Sequence, residues 1–133
     1  SVSNHICAFW DFLPTAAELA AVDPPADIDG ISMASVLKGQ NKQKAHKHLY
    51  WESLHRQAVR MGKWKGIRSH PDKATQLYDL EEDIGETNNI ADEYPEIVDL
   101  IEEILNSART KSQLYIDPGE SVEQTKRKRN IEI

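Results

Sequence analysis

A chain of 133 residues, 39% hydrophobic and 29% charged, holds material for one modest core and no apolar run long enough to cross a membrane. Its net charge of −6 argues against general nucleic-acid binding, which favours a basic face. The single cysteine, Cys7, excludes an internal disulfide, and the opening residues are not expected to act as a signal peptide.

After a short lead-in over Ser1 to Ile6, a helix is expected from Asp11 to Ala21. Asp11 can cap it, Pro14 falls in its first turn, and the alanine-rich stretch that follows has high helix propensity. Phe9, Trp10, Phe12, Leu13, Ala16, Leu19 and Ala20 form a stripe wider than one small sheet needs. Two readings stand side by side: an ordinary core helix, or a helix with an apolar face that seeks a partner. Residues 22–31 read as a loop, Met33 to Leu37 as one helical turn ended by Lys38-Gly39, and Gln40 to Lys47 as an exposed connection.

From His48 to Leu80 the pattern changes to strands. Leu49-Tyr50-Trp51, residues 57–61, residues 64–68 and residues 76–80 form four short runs, the middle two joined at Gly62-Lys63. Glycine at the first central position suits a II′ hairpin turn. Val59 and Met61 then share one face, and Ala58 and Arg60 the other. Trp64 is expected between the sheet and the last helix. An acidic loop follows over residues 81–94. Pro95 and Glu96 then open a helix expected to reach about Lys111, with Ile97, Ile101, Ile104, Leu105 and Ala108 at helical spacing. The tail, with its basic run Lys126 to Arg129, holds too little apolar material to offset ordering and is expected to be a disordered, solvated tail. The fold class is therefore α+β: a four-stranded antiparallel sheet packed against a C-terminal helix, with an additional N-terminal helix.

Three blocks, Leu49-Tyr50-Trp51-Glu52, residues 57–65 and Leu77-Tyr78-Asp79-Leu80, resemble the C-terminal subdomain of the sulfatase (arylsulfatase) family. So do Asp83, Glu86, Asn89-Ile90-Ala91 and Pro95-Glu96 downstream. Upstream, Asp11-Phe12-Leu13-Pro14-Thr15, Asp29-Gly30-Ile31-Ser32 and Leu37-Lys38-Gly39 resemble that family too, in its order and spacing. The resemblance implies three regions: the end of a catalytic domain over 1–45, the C-terminal subdomain over 46–111, and a polar tail over 112–133. It also implies hydrolysis of sulfate esters through a formylglycine nucleophile and a calcium ion, both in a catalytic domain that this chain lacks. The partners expected are that catalytic domain in cis and a sulfated carbohydrate or aryl sulfate. Neither nucleic acid nor membrane is expected as a partner, and the parent protein would be periplasmic or secreted. Self-association through the N-terminal helix is a further expectation.

The chemistry-bearing side chains are few. Formylglycine is made from a Cys or Ser in a Cys/Ser-x-Pro-x-Arg motif, but Cys7 is followed by Ala8-Phe9-Trp10-Asp11. It reads as a small buried hydrophobe, and no catalytic residue, metal site or cofactor is assigned to this chain. His46, His48 and His55 lack a fixed further ligand for a zinc site and read as exposed strand-end histidines. Trp51, Glu52, His55 and Arg56 set an aromatic plane beside polar donors and an acid, which suits recognition of a hydroxyl-bearing ring. The resemblance adds that this subdomain often lines the substrate pocket. The opposing reading puts Trp51 in the core and pairs Glu52 with Arg56 at the surface. Arg60 and Lys65 are expected to pair with Glu52 or Asp79 across strands. A stand-alone module for sulfated sugars and a purely structural piece remain as alternative functions.

Overall fold

The structure is a computed structural model that describes residues 2–40 and 43–110. The expected tail, its basic run Lys126–Arg129 and the helix end at Lys111 lie outside the described residues. The chain divides into two compact units, Ser1–Lys47 and His48–Ile133.

In the first unit a 3-10 turn, Phe9–Asp11, leads into α1, Phe12–Leu19, and a second short helix, α2, spans Ala34–Leu37. Asp11 does not cap α1 as expected. Its backbone is already helical (φ −73°, ψ −14°), and its side chain makes no cap bond. The carboxylate instead accepts from the Ala8 amide at 2.7 Å, the Ile31 amide at 2.8 Å and His46 Nε2 at 2.8 Å. Thr15 and Gln43 continue the pattern: Thr15 Oγ1 accepts from the Met33 amide, and Gln43 Nε2 donates to the Ser32 carbonyl. The buried apolar side chains here are small ones such as Ala17 and Ala34, while Phe9 is 91% exposed and Phe12 66%. Polar cross-links therefore carry much of the tertiary structure of this unit, and Phe9, Phe12, Leu13 and Leu19 face outward.

The second unit is a four-stranded antiparallel meander in the order β1 (Leu49–Ser53), β2 (Arg56–Met61), β3 (Trp64–Arg68), β4 (Gln76–Asp79). Met61 pairs with Trp64 across a two-residue turn whose Gly62 takes φ +58°, the left-handed value this turn demands. Tyr50, Val59, Gly66 and Leu77 lie in one row across the sheet. Over this row packs α3, Pro95–Ser107, with Pro95 in its first turn. Val59, Leu77, Ile101 and Leu105 form the buried core. Gly66 is what lets the helix down onto the sheet: a Cβ there would stand 2.4 Å from Ile101 Cγ2. Asn89 and Ile90 bond Leu77 along the outer edge of β4.

Trp64 shares the α3 face of the sheet with Gly66 and is half-buried, packed against this core as expected. Its ring meets that of Tyr94 at 4.9 Å, with the Lys63 ammonium 4.6 Å from its centre. The expected cross-strand pairs rearrange. Asp79 binds Lys63 from the hairpin turn at 2.6 Å, and Lys65 reaches Glu86 at 2.5 Å in the acidic loop. Arg60 Nε donates to the Gly62 carbonyl.

Candidate functional site

The four residues singled out as a binding set occupy one end of the sheet but do not converge. Strand alternation puts Trp51 (37% exposed) on the face away from α3, in a row with Ala58, Ile67 and Gln76. Arg56, opposite Ser53, shares that face and is exposed. His55 is exposed in the β1–β2 turn, where Leu54 adopts φ +55°. Glu52 points the other way, toward α3.

Glu52 belongs to a polar network at the end of the core. Its Oε2 accepts from the Tyr50 hydroxyl and pairs with Arg109 at 3.3 Å, while its buried Oε1 has no hydrogen-bond partner. The surface pair with Arg56 is thus replaced by a partner beyond α3. Gln57 Nε2 donates to Tyr50, and Gln57 Oε1 accepts from Arg68, which also reaches Asn106. Burial and the Glu52 carboxylate push the Tyr50 phenol up to about 12. The folded state therefore holds this proton more tightly than an unfolded chain, in which a phenol keeps its ordinary value of about 10. The resulting stability is full below pH 10 and is lost as pH rises toward 12. A rise of this size corresponds to at most about 2–3 kcal/mol. Alkaline unfolding curves of the native chain and Tyr50→Phe are expected to converge across that window, and parallel curves would contradict this linkage.

The opposite end of the sheet and the loop after it carry Asp79, Glu81, Glu82, Asp83 and Glu86. Hydrogen bonds hold two of these carboxyls below the usual range, Asp79 chiefly through Lys63 and Asp83 chiefly through the Asn88 amide.

Among the described residues no three His, Cys, Asp or Glu side chains gather as a metal site requires. His46 is not the exposed histidine expected. Its side chain is 9% exposed and bonded to Asp11. Cys7 is exposed, not buried, because the segment ahead of α1 runs along the surface beside Phe9. The first unit also carries two open clefts. One of about 390 Å³ lies among Phe9, Trp10, Phe12, Leu13 and Ile28, and one of about 490 Å³ among Pro14, Val22, Pro24 and Ile31.

Residues 1–111 match the family model described as N-sulphoglucosamine sulphohydrolase, C-terminal. The chain belongs to this sulfatase family. It is 33% identical over 89 residues to a Delta 4,5-hexuronate-2-O-sulfatase of Bacteroides thetaiotaomicron, covering 61% of this chain and 18% of that one. It is 31% identical over 123 residues to an N-acetylglucosamine-6-O-sulfatase of the same organism, covering 77% and 22%. Among solved structures, a 2-O GAG sulfatase superposes with a TM-score of 0.64 at 30% identity, over 74% of this chain and 23% of that one. Another, solved with its substrate D-glucosamine-2-N,6-O-disulfate, superposes with a TM-score of 0.55 at 25% identity, over 74% and 23%. This sulfatase C-terminal domain therefore spans about a fifth of the length of the curated relatives it matches.

Proposed function

We propose that the chain serves as the C-terminal domain of an enzyme that hydrolyses sulfate esters, with carbohydrate sulfates as the favoured substrate class. The family match over residues 1–111 carries this reading. The described residues do not fit a calcium cradle or a formylglycine motif, so both are assigned to a catalytic domain in the same polypeptide. That domain is the proposed cover for the apolar surface of Phe9, Phe12, Leu13 and Leu19. Four-fifths of the relatives' length is available to supply it. The pocket-wall role is proposed for Trp51, His55 and Arg56, with Glu52 supporting β1 from beneath.

The test compares this chain with the intact polypeptide. The 133-residue chain alone is expected to release no sulfate above background from aryl or carbohydrate sulfates, and calcium should leave its Tm unchanged. Alone, it should self-associate through the apolar surface, and Phe12→Asp should return it to a monomer without loss of fold. The same substitution in the intact enzyme should abolish soluble, active protein. An intact enzyme indifferent to Phe12→Asp, or turnover by the isolated chain, would overturn the reading.

A further inference from the structure

In an antiparallel meander, the β1–β2 turn and the β3–β4 loop emerge at the same end of the sheet. The distances bear this out, since the rings of His55 and His70 approach to 5.1 Å between centroids. His70 Nδ1 is bonded to Asp72 at 2.5 Å, which orients the ring and directs Nε2 away from that bond. Lys73 follows, its amide closing a turn on the His70 carbonyl. The turn opposite is held in an unusual conformation, with Leu54 at φ +55° and 72% exposed, a backbone cost that ordinary turn chemistry would avoid.

Charge separates along the sheet. The acids Asp79 to Glu86 lie at the far end, where Lys63 and Lys65 pair with Asp79 and Glu86, while the histidine end carries Arg56, Arg68, Lys73 and Arg109 against Glu52, Asp72 and Glu102, the last bonded to Thr75. Within a chain of net charge −6, an anion is least repelled at this end, where Arg56 and Lys73 flank the histidines in sequence. The ring of Trp51 lies on the adjoining face and offers a flat apolar surface to a sugar.

We propose that His55, Arg56, His70 and Lys73 form a subsite for a second anionic group of a carbohydrate, distinct from the sulfate ester that is cleaved, with Trp51 under the ring. This rests on the sulfatase reading above and extends it to His70 and Lys73. The ligand class is an anionic sugar, its charge supplied by sulfate or by a uronate carboxylate.

The 133-residue chain, titrated in turn with N-acetylglucosamine 6-sulfate, glucuronate and neutral N-acetylglucosamine, gives the test by NMR of the histidine ring protons. Both anionic sugars, or one of them, should shift His55 and His70, and the neutral sugar should not. A response to the sulfated sugar alone assigns the charge to sulfate, and one to glucuronate alone assigns it to carboxylate. The double variant Arg56→Ala/His70→Ala should weaken binding at least about tenfold, while Lys65→Ala at the other end should leave it unchanged. Equal shifts with the neutral sugar, unchanged binding in the double variant, or no shift at all would overturn the proposal. In the intact enzyme, sulfate release with an unchanged KM in that variant would remove the subsite and leave the sulfatase reading. Sugar binding at the histidines without any sulfate release would do the reverse.

Discussion

Gly66→Ala is expected to destabilise the sheet unit by about 1–3 kcal/mol or more, although it adds a single methyl group. The new Cβ would lie 2.4 Å from Ile101 Cγ2 and 3.1 Å from Cδ1. Neither can swing aside cheaply, because a β-branched side chain in a helix is confined to essentially one χ1 rotamer. Relief therefore requires α3 to lift from the sheet, opening a core of Val59, Leu77, Ile101 and Leu105. For so small a core the loss is a large share of the stability available. Urea unfolding of Gly66→Ala, Ile101→Ala and the double variant gives the check. Ile101→Ala alone should cost about 2–5 kcal/mol, and the pair should cost clearly less than the sum. Strict additivity would mean that the two residues do not touch.

Asp11→Ala is expected to be as severe within the first unit. The carboxylate is 1% exposed and takes two backbone amides and the His46 ring. Each buried donor left without an acceptor costs about 1–3 kcal/mol, and this unit has little apolar burial to absorb the loss. Asp11→Asn should lose less, since its carboxamide oxygen still accepts. The direction with pH follows from the same bonds. Burial alone would raise the Asp11 pKa, but the Ile31 and Ala8 amides and His46 outweigh it and lower the value below 3.8. The contribution is thus full above that pH and is lost as pH falls through the depressed folded value. Hydrogen exchange at the Ile31 amide reports it directly. Protection that survives Asp11→Ala would remove the carboxylate from this role.

The sheet and α3 were legible because their signals are local. Alternation around Gly62-Lys63 and the recurrence of Ile97, Ile101, Ile104 and Leu105 depend on neighbours within a few residues. The choice of polar partners was not legible. Glu52 bonds Arg109, and Asp11 bonds His46, across separations that periodicity does not encode. Gly66 did carry a usable sign, since a glycine inside a strand marks close approach by another element. At the candidate site, reading residues 51–56 as one patch ignored strand parity, which sends Trp51 and Glu52 to opposite faces. His70 was missed for a related reason. Its place beside His55 follows from the meander topology, not from spacing along the chain.

Acids outnumber bases at one end of the sheet even after Lys63 and Lys65 offset two of them, and bases slightly outnumber acids at the other, so this unit carries an electric dipole. β3 has five residues, so the two ends stand roughly 17 Å apart. Physiological salt screens charge over about 8 Å. An approaching ion therefore responds to whichever pole it nears, and the net charge of −6 describes the force on it only at a distance where almost no force remains. Adding salt shortens that reach further, so the attraction at the histidine end should fade while the hydrogen bonds buried beneath α3 keep their strength.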